Sequence, residues 1–510
     1  MKKEANMPLN VATQLSSLED IKHYFKTNKR PYYFISASHF NLMHLDDWVN
    51  NIKFINYIDC YDGTHPNVVV PPYAPHKQPS CIEDINTYLL GHKAIVDLIE
   101  SNQENDSTTH IKSQAIFLFF DKEIESMCKH LNLDICLPSN ELVQKIDSKI
   151  ETTRLGNSAG VASVPNALEK IASYTTLVEV AKKHSLGPKL VVQHAYGDSG
   201  KTTFFISSEE DYDKVADQIE KEDMVKVMKQ IRCAGTAIEG CATKAGTFVG
   251  PLLTELIGYP ELTPYKGGWC GNELFPDAFS DSVRKQAAEM TERLGDALYK
   301  ANYRGYFEVD YLIDLDTNDV YLGELNARIT GISAMTNMSN FCKNTIPLFL
   351  FHLLEYSDVD LNLSPKTYNS KSITEGATGS ASQIIYKYTQ TETKVIESAP
   401  VSGIYTLKDG ELNLVTHGYK RRDALNENEI FIKRIMGVGE YTYKGADLAI
   451  LFLNKPLKDT ETKLNSFSEK WIEYEKTSEK EKLYDMQKKW YLKLYGFSTE
   501  KELASFLQTK

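Results

Sequence analysis

The chain is 510 residues long, 42% hydrophobic and 25% charged, with a formal net charge of −12. That length is too great for one hydrophobic core and implies roughly two to four domains. The acidic balance excludes a general nucleic-acid binder, which needs clustered positive charge, and no apolar run reaches the roughly 20 residues that span a bilayer.

The first ten residues, M-K-K-E-A-N-M-P-L-N, contain neither an apolar stretch nor a small-residue cleavage site, so no signal peptide is expected. Residues 31–37, 54–59 and 115–120 read as buried strands and 82–100 as one amphipathic helix, the alternation of a parallel sheet covered by helices. Proline-rich residues 68–79 and polar residues 102–109 are expected as loops. Leu137-Pro138-Ser139 breaks the chain before helical residues 140–150, residues 151–159 and a turn at 159–165. A second α/β unit over 167–207 holds a helix ending at His184, a strand at 189–194, a glycine-bearing turn and a returning strand at 203–206. Further strands are expected at 225–232 and 236–243, and a long amphipathic helix at 280–301. From about Ser372 the pattern turns to β segments at 384–388, 403–407 and 412–417, then to charged helices after Asp459. Three regions follow from this reading, 1–145, 146–370 and 371–510. In the tail, Trp471, Tyr474, Tyr484, Trp490, Tyr491 and Tyr495 recur at helical intervals, as in a packing helix or a homodimer helix. The eight cysteines form no C-x-x-C pair, which fits free thiols in a reducing cytoplasm.

The most informative stretch is 305–330, G-Y-F-E-V-D-Y-L-I-D-L-D-T-N-D-V-Y-L-G-E-L-N-A-R-I-T. It reads as two apolar strands joined by a polar turn, with Asp310, Glu324, Asn326 and Arg328 inside the strands. On adjacent strands, Asp310, Glu324 and Asn326 could share one face. Three such oxygen-bearing side chains suit Mg²⁺, a hard cation usually held by one or two carboxylates plus substrate phosphates. An exposed hairpin whose acids face water is the alternative, opposed by Val309, Tyr311, Ile313, Tyr321, Leu322 and Leu325, which mark strands packed in a core.

Residues 140–340 resemble an ATP-grasp enzyme. The motifs that carry the resemblance are Gly305, the acid-bearing strand with Asp310, and Glu324-x-Asn326-x-Arg328, preceded by D-S-K-I-E-T-T-R-L-G-N-S-A-G-V-A-S-V-P at 147–165. The resemblance implies an α/β, more narrowly α+β, protein: a Rossmann-like domain, an ATP-grasp domain of two lobes, and a smaller β-rich domain with a helical tail. It implies ATP and Mg²⁺, with Mn²⁺ as a substitute, and places Lys149 on the ATP phosphates. Gly197, Ser199, Gly200, Lys201 and Thr202 form a glycine turn whose N–H groups could cover the β- and γ-phosphates. This G-D-S-G-K-T-T run is no Walker loop, because position 195 is Ala195 and the next element is a strand. Similar proteins carry a lysine where Gln193 stands, so Lys201 is the candidate for the missing charge. Lys229 and Ile231 match the strand whose backbone holds adenine, although a plain core strand reads equally well. Glu239 is a candidate for the ribose or the metal.

Arg328 could clamp a carboxylate or phosphate through two parallel hydrogen bonds. Joining a carboxylate to an amine, as in amino-acid and peptide ligases of the family, is the favoured reaction. Biotin-carboxylase-like carboxylation is the alternative, but an I-x-V-E-H continuation after the arginine is replaced here by I-T-G-I-S-A, and no A-M-K-M biotin-carrier signature appears. A non-catalytic nucleotide-binding scaffold is the third reading. Substrates would be small carboxylates and amines, with no nucleic acid or membrane partner. Residues 254–276 read as a functional loop in which Glu255, Lys266 and Trp269 could touch substrate, or as a surface loop without a role. Lys420, Arg421 and Arg422 form a basic knot, solvated or facing an anionic group.

Overall fold

The computed structural model describes residues 13–72, 79–104, 112–197, 201–338, 345–357, 359–378, 380–408, 411–420, 426, 428–460 and 463–465. The chain forms two compact units, one of Met1–Tyr57, Asn67–Glu255 and Leu274–Ser380, the other of Ile58–Pro66, Leu256–Glu273 and Ala381–Lys510.

The first unit opens with a five-stranded parallel sheet in the order Val68–Val69, Ile52–Asn56, Tyr32–Ser36, Gln114–Phe117, Asp134–Ile135. Its central strand is buried at every position, as expected where both faces of a parallel sheet are covered. The helix expected at 82–100 is two helices, Ile82–Gly91 and Lys93–Glu104. Gly91 weakens the helix at that point, and His92 takes an extended conformation with its N–H turned back to the Leu89 carbonyl at 3.2 Å.

A small antiparallel sheet follows, ordered Asn166–Glu169, Val225–Lys229, Leu190–Gln193, Thr203–Ile206. The first of these strands is not legible in the sequence; at four residues it is too short to show a period. Val192, Val225 and Val227 enter one core with Leu177 and Val180 of the helix Tyr174–Lys183. Side chains alternate across a strand, so Val191, Gln193, Lys226 and Met228 occupy the opposite face.

The larger antiparallel sheet of this unit sets Val320–Asn326 beside Gly305–Asp314 and that strand beside Cys233–Thr243. Helix Asp281–Lys300, capped by Ser280, buries Val283, Ala287, Met290, Leu294 and Leu298 in the same core as Phe307, Val309 and Tyr311. Two glycines make room for Phe307: a Cβ at Gly240 would lie 2.4 Å from its ring and one at Gly295 3.0 Å. Helix Lys149–Ser158 rests on Val320–Asn326 in the same way, since a Cβ at Gly156 would lie 2.5 Å from Leu322.

In the second unit an antiparallel sheet runs Trp269–Leu274, Ala381–Lys387, Asp447–Leu453, Glu429–Arg434, Gly403–Lys408, Glu411–His417. Helix Pro365–Thr378 runs through Ser372, and the strand after it, Ala381–Lys387, lies where 384–388 is expected as the first β segment. The stretch 254–276 is more regular than a loop: it contains Leu253–Ile257 and Trp269–Leu274, and the Trp269 indole donates to Asn272 Oδ1 at 3.0 Å. Lys420 lies 5.9 Å from the Tyr419 ring; Arg421, Arg422 and the aromatic tail from Trp471 fall outside the described residues. Among the described residues seven cysteines are free, and no helix is long and apolar enough to cross a membrane.

Candidate functional site

The acidic face arises from strand register. Glu308 pairs with Asn326 and Asp310 with Glu324, and residues two apart on a strand share a face. All four side chains therefore lie together. A bulge makes this possible: Tyr311 pairs with Leu322, leaving Gly323 without a counterpart. The extra residue lets Leu322 enter the core while Glu324, two positions on, joins the acids. Glu308 is not among the residues the sequence singles out, although its place two residues before Asp310 is the signal that identifies it.

The Asn326 amide nitrogen donates to Glu308 Oε2 and, at 3.3 Å, to Asp310 Oδ2. Its oxygen accepts from Arg328 Nη2 at 2.9 Å, and the guanidinium lies 4.8 Å from the Phe119 ring. Asn326 thus turns its nitrogen, not its oxygen, toward the acids, and Glu308, Asp310 and Glu324 form the carboxylate set. Glu308 Oε1 is buried without a hydrogen-bond partner. Burial, reinforced by the Asp310 charge, holds the Glu308 carboxyl well above its ordinary range. Burial also raises Asp310 to about 6, against the hydrogen bond from Glu308. Acids in this condition call for a cation. Among the described residues no three His, Cys, Asp or Glu side chains are grouped to hold a metal by themselves. Mg²⁺ does not need that, since waters and phosphates complete its shell.

Lys149 faces this surface. It opens its helix after Ser148, whose side chain caps Glu151 N, and it is 4% exposed. Its N–H bonds Ala195 O at 2.8 Å, and its Nζ donates to Gly197 O at 2.9 Å and to Glu324 Oε1 at 2.7 Å. The lysine therefore ties the glycine turn to the acidic face. Gly197 has φ +148°, and a Cβ there would fall 1.9 Å from Thr202 Oγ1, so no other residue fits. Lys201 is exposed at the head of the returning strand, and Ser199 and Gly200 lie outside the described residues. Gln193 donates to Thr203 Oγ1 at 3.2 Å.

Val164, Val191 and Met228 form a small apolar cluster, with Ile231, Leu312 and Tyr321 packed against them. The Lys229 N–H bonds Pro165 O at 3.0 Å. A ladder pair would return an N–H to the Lys229 carbonyl, but proline has none. That carbonyl is left without its ladder donor, and the Ile231 N–H makes no backbone hydrogen bond among the described residues. The cluster thus has one acceptor and one donor at its edge. Glu239 is in a different situation. It is 0% exposed, accepts from the hydroxyls of Tyr306 and Ser333, and is raised to about 7 by burial. Enclosed in this way, its carboxyl is not open to a ribose; it braces Tyr306 and Ser333 beside Glu308, its cross-strand partner.

No family model matches the chain, and no curated protein matches it in sequence. Solved structures do match its fold. The biotin carboxylase of Campylobacter jejuni, solved as a beta-gamma-ATP complex, is 12% identical, with 83% of this chain and 86% of that one covered and a TM-score of 0.53. The biotin carboxylase domain of Hydrogenobacter thermophilus 2-oxoglutarate carboxylase, solved with MgADP, ADP and bicarbonate, is 11% identical over the same shares, with a TM-score of 0.52. The architecture is the one to which the 305–330 motif pointed: this chain has the ATP-grasp fold.

Proposed function

We propose that the chain is an ATP- and Mg²⁺-dependent ligase that activates a carboxylate as an acyl phosphate and joins it to an amine, such as an amino acid or small peptide. The observation that carries this reading is the common face of Glu308, Asp310 and Glu324, bridged by Lys149 to a glycine turn and neighbouring an apolar cluster with an unmatched carbonyl. Clustered acids, a buried lysine and an apolar surface with one donor and one acceptor at its edge suit a magnesium nucleotide.

Bound MgATP supplies the phosphoryl group: a carboxylate oxygen takes it with loss of ADP, and the amine nitrogen then displaces phosphate at the acyl carbon while giving up a proton. Such transfer depends on positioning and on positive charge at the phosphoryl oxygens. Lys149 supplies charge from the turn side, and the acids would hold the cation from the sheet side. Arg328, set by Asn326 and the Phe119 ring, would clamp the substrate carboxylate. Lys201 and Thr202 would close over the terminal phosphate. The fold is shared with biotin carboxylases, but Ile329, Thr330, Gly331, Ile332 and Ser333 provide no acid after Arg328, and the Ser333 hydroxyl is spent on Glu239. That favours an amine over bicarbonate as the second substrate.

The test is ADP release with pooled amino acids, products being read by mass spectrometry. Combined Asp310→Asn, Glu324→Gln and Asn326→Ala should lower amine-dependent turnover at least about 100-fold with the fold intact by circular dichroism. Wild-type turnover in that variant, or ADP release that needs bicarbonate and no amine, would overturn the proposal.

A further inference from the structure

Lys226 is the second residue of Val225–Lys229, paired with Leu168 on one neighbouring strand and Gln193 on the other. It is 0% exposed, and its Nζ has no hydrogen-bond partner. A buried ammonium is costly unless an anion meets it. Burial accordingly lowers the Lys226 pKa to about 8, with the Glu324 charge opposing the fall and Lys149 adding to it. Glu324, the acid whose charge reaches it, is already bonded to Lys149 at 2.7 Å.

The direction of the side chain follows from strand alternation. Val225 and Val227 enter the core of the small sheet, whereas Met228, on the same face as Lys226, joins the apolar cluster with Val191. Gln193, directly across the ladder, shares that face and brings no charge. Lys226 therefore lies on the face that carries the apolar cluster, where the electrostatic influence of Lys149 and Glu324 reaches it.

We propose that Lys226 is a phosphate-binding lysine whose ammonium meets the phosphate chain of a nucleotide with its base against that apolar cluster, supplying from one strand the charge that its neighbour lacks at Gln193. This inference rests on the nucleotide reading above, and it accounts for a buried cation inside a strand whose other lysine, Lys229, is exposed at its end. The ligand is the anion that meets the Lys226 ammonium directly.

Isothermal titration of the full chain with adenosine, ADP and ATP in the presence of Mg²⁺ tests it. Lys226→Met should weaken ADP and ATP binding by about tenfold or more, the scale of one charge-assisted hydrogen bond, and leave adenosine within about twofold. Its melting temperature should hold or rise, because an unpaired buried charge is removed. Adding Gln193→Lys in the Lys226→Met background returns an ammonium to the same face and should recover most of the ADP affinity. An ADP affinity unchanged in Lys226→Met, or an equal loss for adenosine and ADP, overturns the role given to Lys226 while the nucleotide reading stands. A wild-type chain that binds none of the three compounds overturns both.

Discussion

Asp310, Glu308 and Glu239 hold protons more tightly in the folded chain than free carboxyls do, for the same first reason, burial. The folded protein keeps a proton on Asp310 up to about 6, where an ordinary aspartate releases it near 3.8; Glu239 does so up to about 7 against 4.5. With more protons bound to the folded state across those windows, stability falls as pH rises. Metal-free protein should therefore lose melting temperature between about pH 4 and 7, each carboxyl costing at most about 1.4 kcal/mol for every pH unit crossed. Mg²⁺ should restore stability at pH 7.5 and do less at pH 5, where Asp310 and Glu308 are protonated. Differential scanning fluorimetry across pH checks this, and Asp310→Asn should flatten both the slope and the Mg²⁺ response. At Gly197, alanine would need a disfavoured φ and would collide with Thr202. We expect Gly197→Ala to weaken ADP binding by about tenfold or more and to lower stability by about 1–3 kcal/mol in urea titration, the scale of a strained backbone position.

Among the elements, helix Asp281–Lys300 shows how close approach overrides propensity. Alanine in place of Gly295 should favour the isolated helix by about 1 kcal/mol. Its Cβ, however, would lie 2.4 Å from Thr247 Cγ2 and 3.0 Å from the Phe307 ring, and overpacking costs about 1–3 kcal/mol. Gly295→Ala should therefore reduce stability in urea titration, and an increase would show that the helix can move off the sheet. The strand pair Gly305–Asp314 and Val320–Asn326 was legible from its apolar alternation and internal acids. Its bulge was not, because a one-residue register shift depends on which of Leu322 and Gly323 the opposite strand accepts. The same limit hid Lys226: V-K-V-M identifies a strand and a charge within it, but not the neighbour that stands across from that charge.

For the whole molecule, the proposed site gathers residues that are distant in the chain. Lys149, Gly197, Lys226 and Asp310 come from separate elements of the first unit. A magnesium nucleotide should therefore slow hydrogen exchange together at 149–153, 190–197, 225–231 and 305–326. It should also raise overall stability by about 2.7 kcal/mol at one hundred times its dissociation constant. Exchange mass spectrometry with MgADP reads this directly, and protection limited to one segment would contradict a shared site.

The amino-acid order by itself determined the alternation of strands and helices, the glycine turn, and the acids and arginine of 305–330, because each is written in local periodicity and side-chain chemistry. Tertiary structure alone decided that Glu308 joins the acids, that Asn326 offers its nitrogen, that Glu239 is enclosed and that Lys226 lies opposite Gln193. These depend on register between strands far apart in the chain, which is set by packing and by backbone hydrogen bonds that no local pattern encodes.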